Sequence, residues 1–168
     1  MPTAAPAKEL QSKGDSTVVR GKWMAVNYVR PHYDIEKGDR RTLAFEISFV
    51  LTDEHEGLLP RAINDEWKHF EQGGCDSIRV GPVQPQKFTL AFTPEGDDRN
   101  LVIPIVMIQD ATLSTVVEKG SGDAVEVTRL KFRAVAELTK DVAKFADFQY
   151  GKQLWMMLEK AQGSLFED

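Results

Sequence analysis

The sequence predicts an α+β fold: a mainly antiparallel sheet with two helices, the longer at the C-terminus. Three observations predict it. Between residues 42 and 51, Leu43, Phe45, Ile47, Phe49 and Leu51 alternate with Ala44, Glu46 and Ser48, the period-two pattern of a half-buried strand. Between residues 56 and 70 the period changes, because Leu59, Ile63, Trp67 and Phe70 recur every three or four residues, as on one helix face. Further strand-like runs then follow one another across short polar turns. That arrangement favours hairpins over the alternating strands and helices of a doubly wound fold.

Residues 1–15 are rich in Pro, Ala, Lys, Ser and Gly and read as a mobile N-terminal arm. Residues 17–30 carry Val18, Val19, Trp23, Val26, Tyr28 and Val29, a strand-like composition. Residues 31–40 read as a long polar loop before the alternating strand 42–51. In the helix that follows, Pro60 suits the first turn, where a missing N–H costs nothing, and Gln72-Gly73-Gly74 ends the element. Residues 77–83 predict a short strand interrupted by Gly81-Pro82. Phe88, Leu90 and Phe92 alternate with Thr89, Ala91 and Thr93 in the next strand, and the loop 94–100 leads to a strand over 101–108. Pro104 inside that run marks an edge strand or a bulge. Residues 112–118 pair with 124–137 across the turn 119–123. Thr139 is an N-cap, with Asp141 in the favourable first turn of the last helix. Val142, Ala146, Leu154, Leu158 and Ala161 mark one face of that helix, and Gly151 weakens its centre. The expected order is β-β-α-β-β-β-β-β-α, with residues 16–161 as one domain and 162–168 as a C-terminal tail.

Composition narrows the function classes. At 168 residues, 42% apolar and 28% charged, the chain is long enough for one domain with a real core. A net charge of -5 argues against a uniformly basic nucleic-acid coat. A single cysteine, Cys75, excludes an internal disulfide and a cysteine-rich zinc site. No window approaches the ~18 apolar residues of a membrane span, and the first residues lack the apolar run of a signal peptide. The expected location is the cytoplasm, with no membrane partner and no cofactor.

The strongest candidate chemistry lies in basic strand faces. Arg129, Lys131 and Arg133 are two apart and point to one side of their strand, while Leu130, Phe132, Ala134 and Ala136 point to the other. By the same parity Arg20 and Lys22 share a face with Tyr28 and Arg30, and Trp23, His32 and Tyr33 lie close in sequence. Cations interleaved with aromatics suit a single-stranded nucleic acid, the cations following phosphates and the rings stacking on bases. The plainer reading is a solvated sheet face. Whether the two stripes adjoin depends on strand order.

Other constellations are weaker. Asp53-Glu54-His55-Glu56 gathers ligating residue types, but consecutive residues seldom converge on one ion. Glu66 and His69 form a single Glu-x-x-His, where a di-iron bundle needs two. No Gly-x-Ser-x-Gly elbow or phosphate loop occurs, which points away from an enzyme. The run Trp155-Met156-Met157-Leu158 covers more than one side of the expected last helix, which reads as a deeply seated helix or as a surface for a partner or a second copy.

The last residues carry the most specific signal. Gln162, Ser164, Leu165 and Phe166 occupy four of five positions of a pattern that resembles Gln-Leu-(Ser/Asp)-Leu-Phe. That pattern is the linear motif by which bacterial DNA-metabolism proteins dock on the replicative sliding clamp. Gly163 departs from it, standing where the family has an apolar side chain. The resemblance implies a sliding clamp as partner, with Leu165 and Phe166 as anchors and Gln162 as the polar contact. Together with the basic stripes, it implies a non-enzymatic accessory of DNA replication or recombination, phage-encoded or bacterial, bound to nucleic acid or a protein and tethered to the clamp. The alternative is a structural or assembly protein such as a phage virion component.

Overall fold

The computed structural model describes residues 18–35, 41–94, 99–119, 122 and 124–161. In chain order these form β1 (Val19–Arg20), β2 (Trp23–Ile35), β3 (Arg41–Leu51), a 3-10 turn (Asp53–His55), α1 (Arg61–Gly73), β4 (Ser77–Arg79), β5 (Gln86–Ala91), β6 (Leu101–Lys119), β7 (Ala124–Glu137), α2 (Lys140–Gln149) and β8 (Gln153–Lys160). The strands pair antiparallel in the order β1-β2-β3-β7-β6-β5-β8, and β8 pairs back onto β2. Six strands, β2-β3-β7-β6-β5-β8, therefore close on themselves as a barrel, with β1 added at one edge and β4 laid on β6. Closure removes the exposed edges that an open sheet would present.

This architecture corrects the expected α+β fold. Strand makes up 57% and helix 20% of the chain described, so the protein is mostly β. The larger error concerns the C-terminus. Helix α2 starts as expected at the Thr139 cap, whose hydroxyl accepts the Val142 N–H at 3.2 Å. It stops at Tyr150, which is extended at ψ 151°, and Gly151 turns the chain at φ 80°. Residues 153–160 are not helix but the strand that closes the barrel, pairing with β2 on one side and β5 on the other. Two ladders of backbone hydrogen bonds outweigh helix propensity here. Leu154, Met156 and Leu158 point into the core and Trp155 packs on the outer wall with Ala25, Ala91 and Trp23. The apolar run expected to meet a second copy through a C-terminal helix is thus consumed in the barrel wall.

Two smaller differences follow from the pairing. The expected loop 31–40 is strand as far as Ile35, the remainder lying outside the described residues. Pro31 is tolerated because β8 leaves β2 after Asn27, so no ladder needs its missing N–H on that side. The expected strands 101–108 and 112–118 form one strand, β6, with a one-residue bulge where Gln109 faces Arg133 but Thr112 faces Lys131. Asp110, in the bulge, is the non-glycine residue with positive φ among the described residues, at 55°. A second slip, opposite Pro104, offsets β5 against β6 as the proline predicted.

The core fills the barrel. Tyr28, Phe45, Phe88 and Phe132 are the largest fully buried side chains, and Phe45 packs tilted against Tyr28 and edge-to-face against Phe88, at 5.3 and 5.8 Å between ring centres. The helices follow opposite ends of β3. Helix α1, with Ile63, Trp67 and Phe70 buried, comes after Leu51 and ends at Gly74, left-handed at φ 74°. Helix α2 comes after β7, whose Glu137 pairs with Thr42 at the start of β3, and touches β2, β3 and β6. Tyr28 Oη donates to the Ala146 carbonyl at 3.1 Å and pins α2 to the barrel.

Candidate nucleic-acid interface

Strand order decides whether the two basic stripes meet. Strand β3 lies between β2 and β7, so its outer residues are flanked by both. Arg30 pairs with Glu46 across one ladder, and Arg133 pairs with Glu46 across the other. Arg30 reaches this face because of a bulge. Tyr28 pairs with Ile47, an inward residue, but Arg30 pairs with Glu46, so Val29 is the extra residue and the side-chain phase flips.

Glu46 is the centre of the cluster, with its side chain 5% exposed. Its Oε1 accepts the Arg30 Nε at 3.2 Å and contacts His32 Nε2 at 2.6 Å. Its Oε2 receives Lys131 Nζ at 3.0 Å. Burial alone would raise this carboxyl. The hydrogen bonds from His32, Lys131 and Arg30 outweigh it and hold Glu46 at about 2. Glu46 is therefore a permanent anion that gathers cations from two strands. Beside it, Arg129 Nη1 donates to Ser48 Oγ at 3.0 Å, and Arg133 Nη1 stands 3.6 Å from the Asp110 carboxylate.

Four guanidinium or ammonium groups thus share this face with the carboxylates of Glu46 and Asp110. The cluster is net positive on a chain of net charge -5. Arg30 and Lys131 keep 64% and 57% of their side-chain surface, so their outer N–H groups remain open to a further anion. Arg129, Lys131 and Arg133 are spaced about 6.6–6.8 Å apart along β7, a step suited to successive phosphates of an extended strand. A groove of 310 Å³ runs beside them, lined by His32, Tyr33, Asp34, Thr42, Gln109 and Arg133 among others.

The remaining expected residues fall elsewhere. Arg20 and Lys22 are exposed at the β1–β2 turn, with Arg20 paired to Trp23 at the far end of β2. Trp23 is half-buried against Ala25, Ala91 and Trp155. Tyr28 is 1% exposed inside the barrel, where burial pushes its phenol up, so its ring is closed to a base. It does not share a face with Arg30. Gln162, Ser164, Leu165 and Phe166 lie outside the described residues, beyond Ala161, whose N–H donates to the Pro85 carbonyl at 3.1 Å. The residues that sequence reasoning missed are Glu46 and Asp110. Glu46 was visible as the charged residue on the polar side of β3, but its partners depend on strand order.

The other acidic and histidine clusters expected from the sequence do not converge among the described residues. His55 is buried while Asp53, Glu54 and Glu56 are exposed, so that acidic run diverges. Glu66 and His69 form an exposed pair at 3.8 Å on α1. Among the described residues no three of His, Cys, Asp or Glu gather as a metal site, and no helix is long and apolar enough to cross a membrane. No protein-family model, curated protein or solved structure matches the chain.

Proposed function

We propose that this protein is a non-enzymatic accessory of DNA replication or recombination that binds a nucleic-acid strand on the outer face of β2, β3 and β7. The observation that carries the reading is the placement of Arg30 and Lys131 on the two oxygens of one buried carboxylate. It joins Arg30 of β2 to the stripe on β7 as one surface, while Arg20, Lys22, Trp23 and Tyr28 lie apart from it. Glu46 orients the cations, and their free N–H groups face outward. Arg129 and Arg133 extend the surface along β7.

The tail supplies the second half of the proposal. Its Gln162, Ser164, Leu165 and Phe166 resemble the clamp-docking motif. A tether raises the local concentration of a weakly binding domain, so a handful of phosphate contacts suffices. Two assays test the two halves separately. The intact protein and a version ending at Ala161 are titrated against a bacterial sliding clamp. Binding that needs the last seven residues supports the tether, and equal behaviour of both forms rejects it. In parallel, the intact protein and a form carrying Arg129→Ala, Lys131→Ala and Arg133→Ala are titrated with single-stranded DNA. Loss of binding in the triple variant supports the basic face, and unchanged binding rejects it.

A further inference from the structure

We infer that Tyr33, Phe148 and Tyr150 form a stacking platform for unpaired bases, which makes the partner a single strand rather than a duplex. The inference rests on the nucleic-acid reading of the basic face. Its starting point is where aromatic surface remains open. Among the described residues, the exposed aromatic side chains are Tyr33, Phe148 and Tyr150, at 52%, 68% and 54%. The other described Phe, Tyr and Trp rings are buried or half-buried.

All three belong to one junction. Segment 147–152 runs beside segment 28–33. Tyr33 Oη donates to the Asp147 carboxylate, Gly151 N–H donates to the Tyr28 carbonyl at 2.6 Å, and Tyr28 N–H donates to the Lys152 carbonyl at 3.0 Å. The Asp147 bond holds the Tyr33 ring at a fixed place on the surface. Val29, the bulge residue, is also exposed here, at 40%. The same stretch of β2 carries Arg30 and His32, which turn onto Glu46 on the cationic face, and Tyr33 borders the groove with His32 and Arg133.

Charge and shape select the occupant. Exposed rings at the border of a cationic face suit a polyanion that also carries flat apolar groups, which is the chemistry of a nucleic-acid strand. A duplex hides its base faces within its own stack and offers only phosphates to such a surface. A single strand offers both. Phosphates on Arg30 and Lys131 would leave neighbouring bases free to turn toward the α2–β2 junction.

The test measures binding of fluorescein-labelled oligothymidine and of a labelled duplex to the intact protein. It is repeated with a Phe148→Ala, Tyr150→Ala form and with a Phe148→Trp, Tyr150→Phe form. Expected are preference for the single strand and a loss of roughly ten-fold for each ring removed to alanine. Duplex binding and the salt dependence should be unchanged, and the aromatic replacements should restore affinity. Single-strand binding that the alanine form retains in full overturns the platform and leaves the basic face standing. No binding of either nucleic acid by the intact protein overturns both. An alanine form that changes sedimentation but not nucleic-acid affinity assigns the junction to self-association and overturns the platform.

Discussion

Glu46 binds Lys131 diagonally across the β3–β7 ladder. Its register partner is Arg133, yet its Oε2 takes Lys131 Nζ at 3.0 Å, and Arg133 turns instead toward Asp110 at 3.6 Å. The bulge in β6 explains the division. It places Asp110 beside Arg133, where a regular ladder would continue without an extra residue. One carboxylate then orders Arg30, His32 and Lys131 together, and a second holds Arg133.

Glu46→Gln should destabilise the protein by about 1–3 kcal/mol at neutral pH, because a nearly buried acceptor of charged hydrogen bonds is lost. The sign of the pH dependence follows from a carboxyl held at about 2 against an ordinary 4.5. Its contribution is complete above about 4.5 and is lost as pH falls toward 2. Urea denaturation near neutral pH and at about pH 3 should show the gap between the native protein and Glu46→Gln narrowing on acidification. A constant gap contradicts the role assigned to Glu46.

His55 gives a second, higher acid window. Its Nδ1 accepts the Thr52 N–H at 3.0 Å, its ring packs 5.3 Å from Phe49, and its Nε2 is buried without a partner. Burial lowers its pKa below the ordinary 6.5, and the folded state therefore holds it neutral. The unfolded chain takes up a proton that the folded one refuses, so stability falls as pH drops below 6.5. His55→Asn places an amide oxygen near the Nδ1 position. It should cost about 2 kcal/mol through the cavity left behind, and remove the slope that opens below 6.5. A denaturation series that keeps the slope in the variant contradicts the assignment.

Gly151 separates α2 from β8 at φ 80°, and a Cβ built there meets nothing within 4 Å. The cost of Gly151→Ala is therefore conformational alone, about 1–2 kcal/mol. The urea midpoint should fall while the slope of the transition stays unchanged. No fall would mean that the turn does not need the left-handed conformation.

Local signals in the sequence were legible where the chain obeys one period. The Thr139 cap, the Gly74 helix end and the Pro104 irregularity appear in the fold, and β3 is a strand, though both its faces are buried where the alternation predicted a half-buried one. Strand β8 was hidden because Trp155, on its outer side, is as apolar as its inward neighbours Leu154 and Met156, so no alternation survives. A strand covered on both faces carries no period to distinguish it from a helix. Tyr28 was misplaced for a different reason. Parity along β2 is broken at Val29, and a bulge leaves no mark in a sequence rich in Val, Tyr and Arg. The stripe of Arg129, Lys131 and Arg133 was readable from spacing, but its meeting with Arg30 over Glu46 required the order β2-β3-β7.

The central claim is that Arg129, Lys131 and Arg133 contact phosphates together with Arg30 on one face. The most direct measurement is the affinity for a single-stranded oligonucleotide as a function of salt, for the native protein and the triple alanine variant. Each phosphate contact on a single strand contributes about 0.7 to the slope of log affinity against log salt. Removing three cations should weaken binding and reduce the magnitude of the slope by about 2. An identical slope in the two proteins, or no binding by the native protein at low salt, would contradict the account.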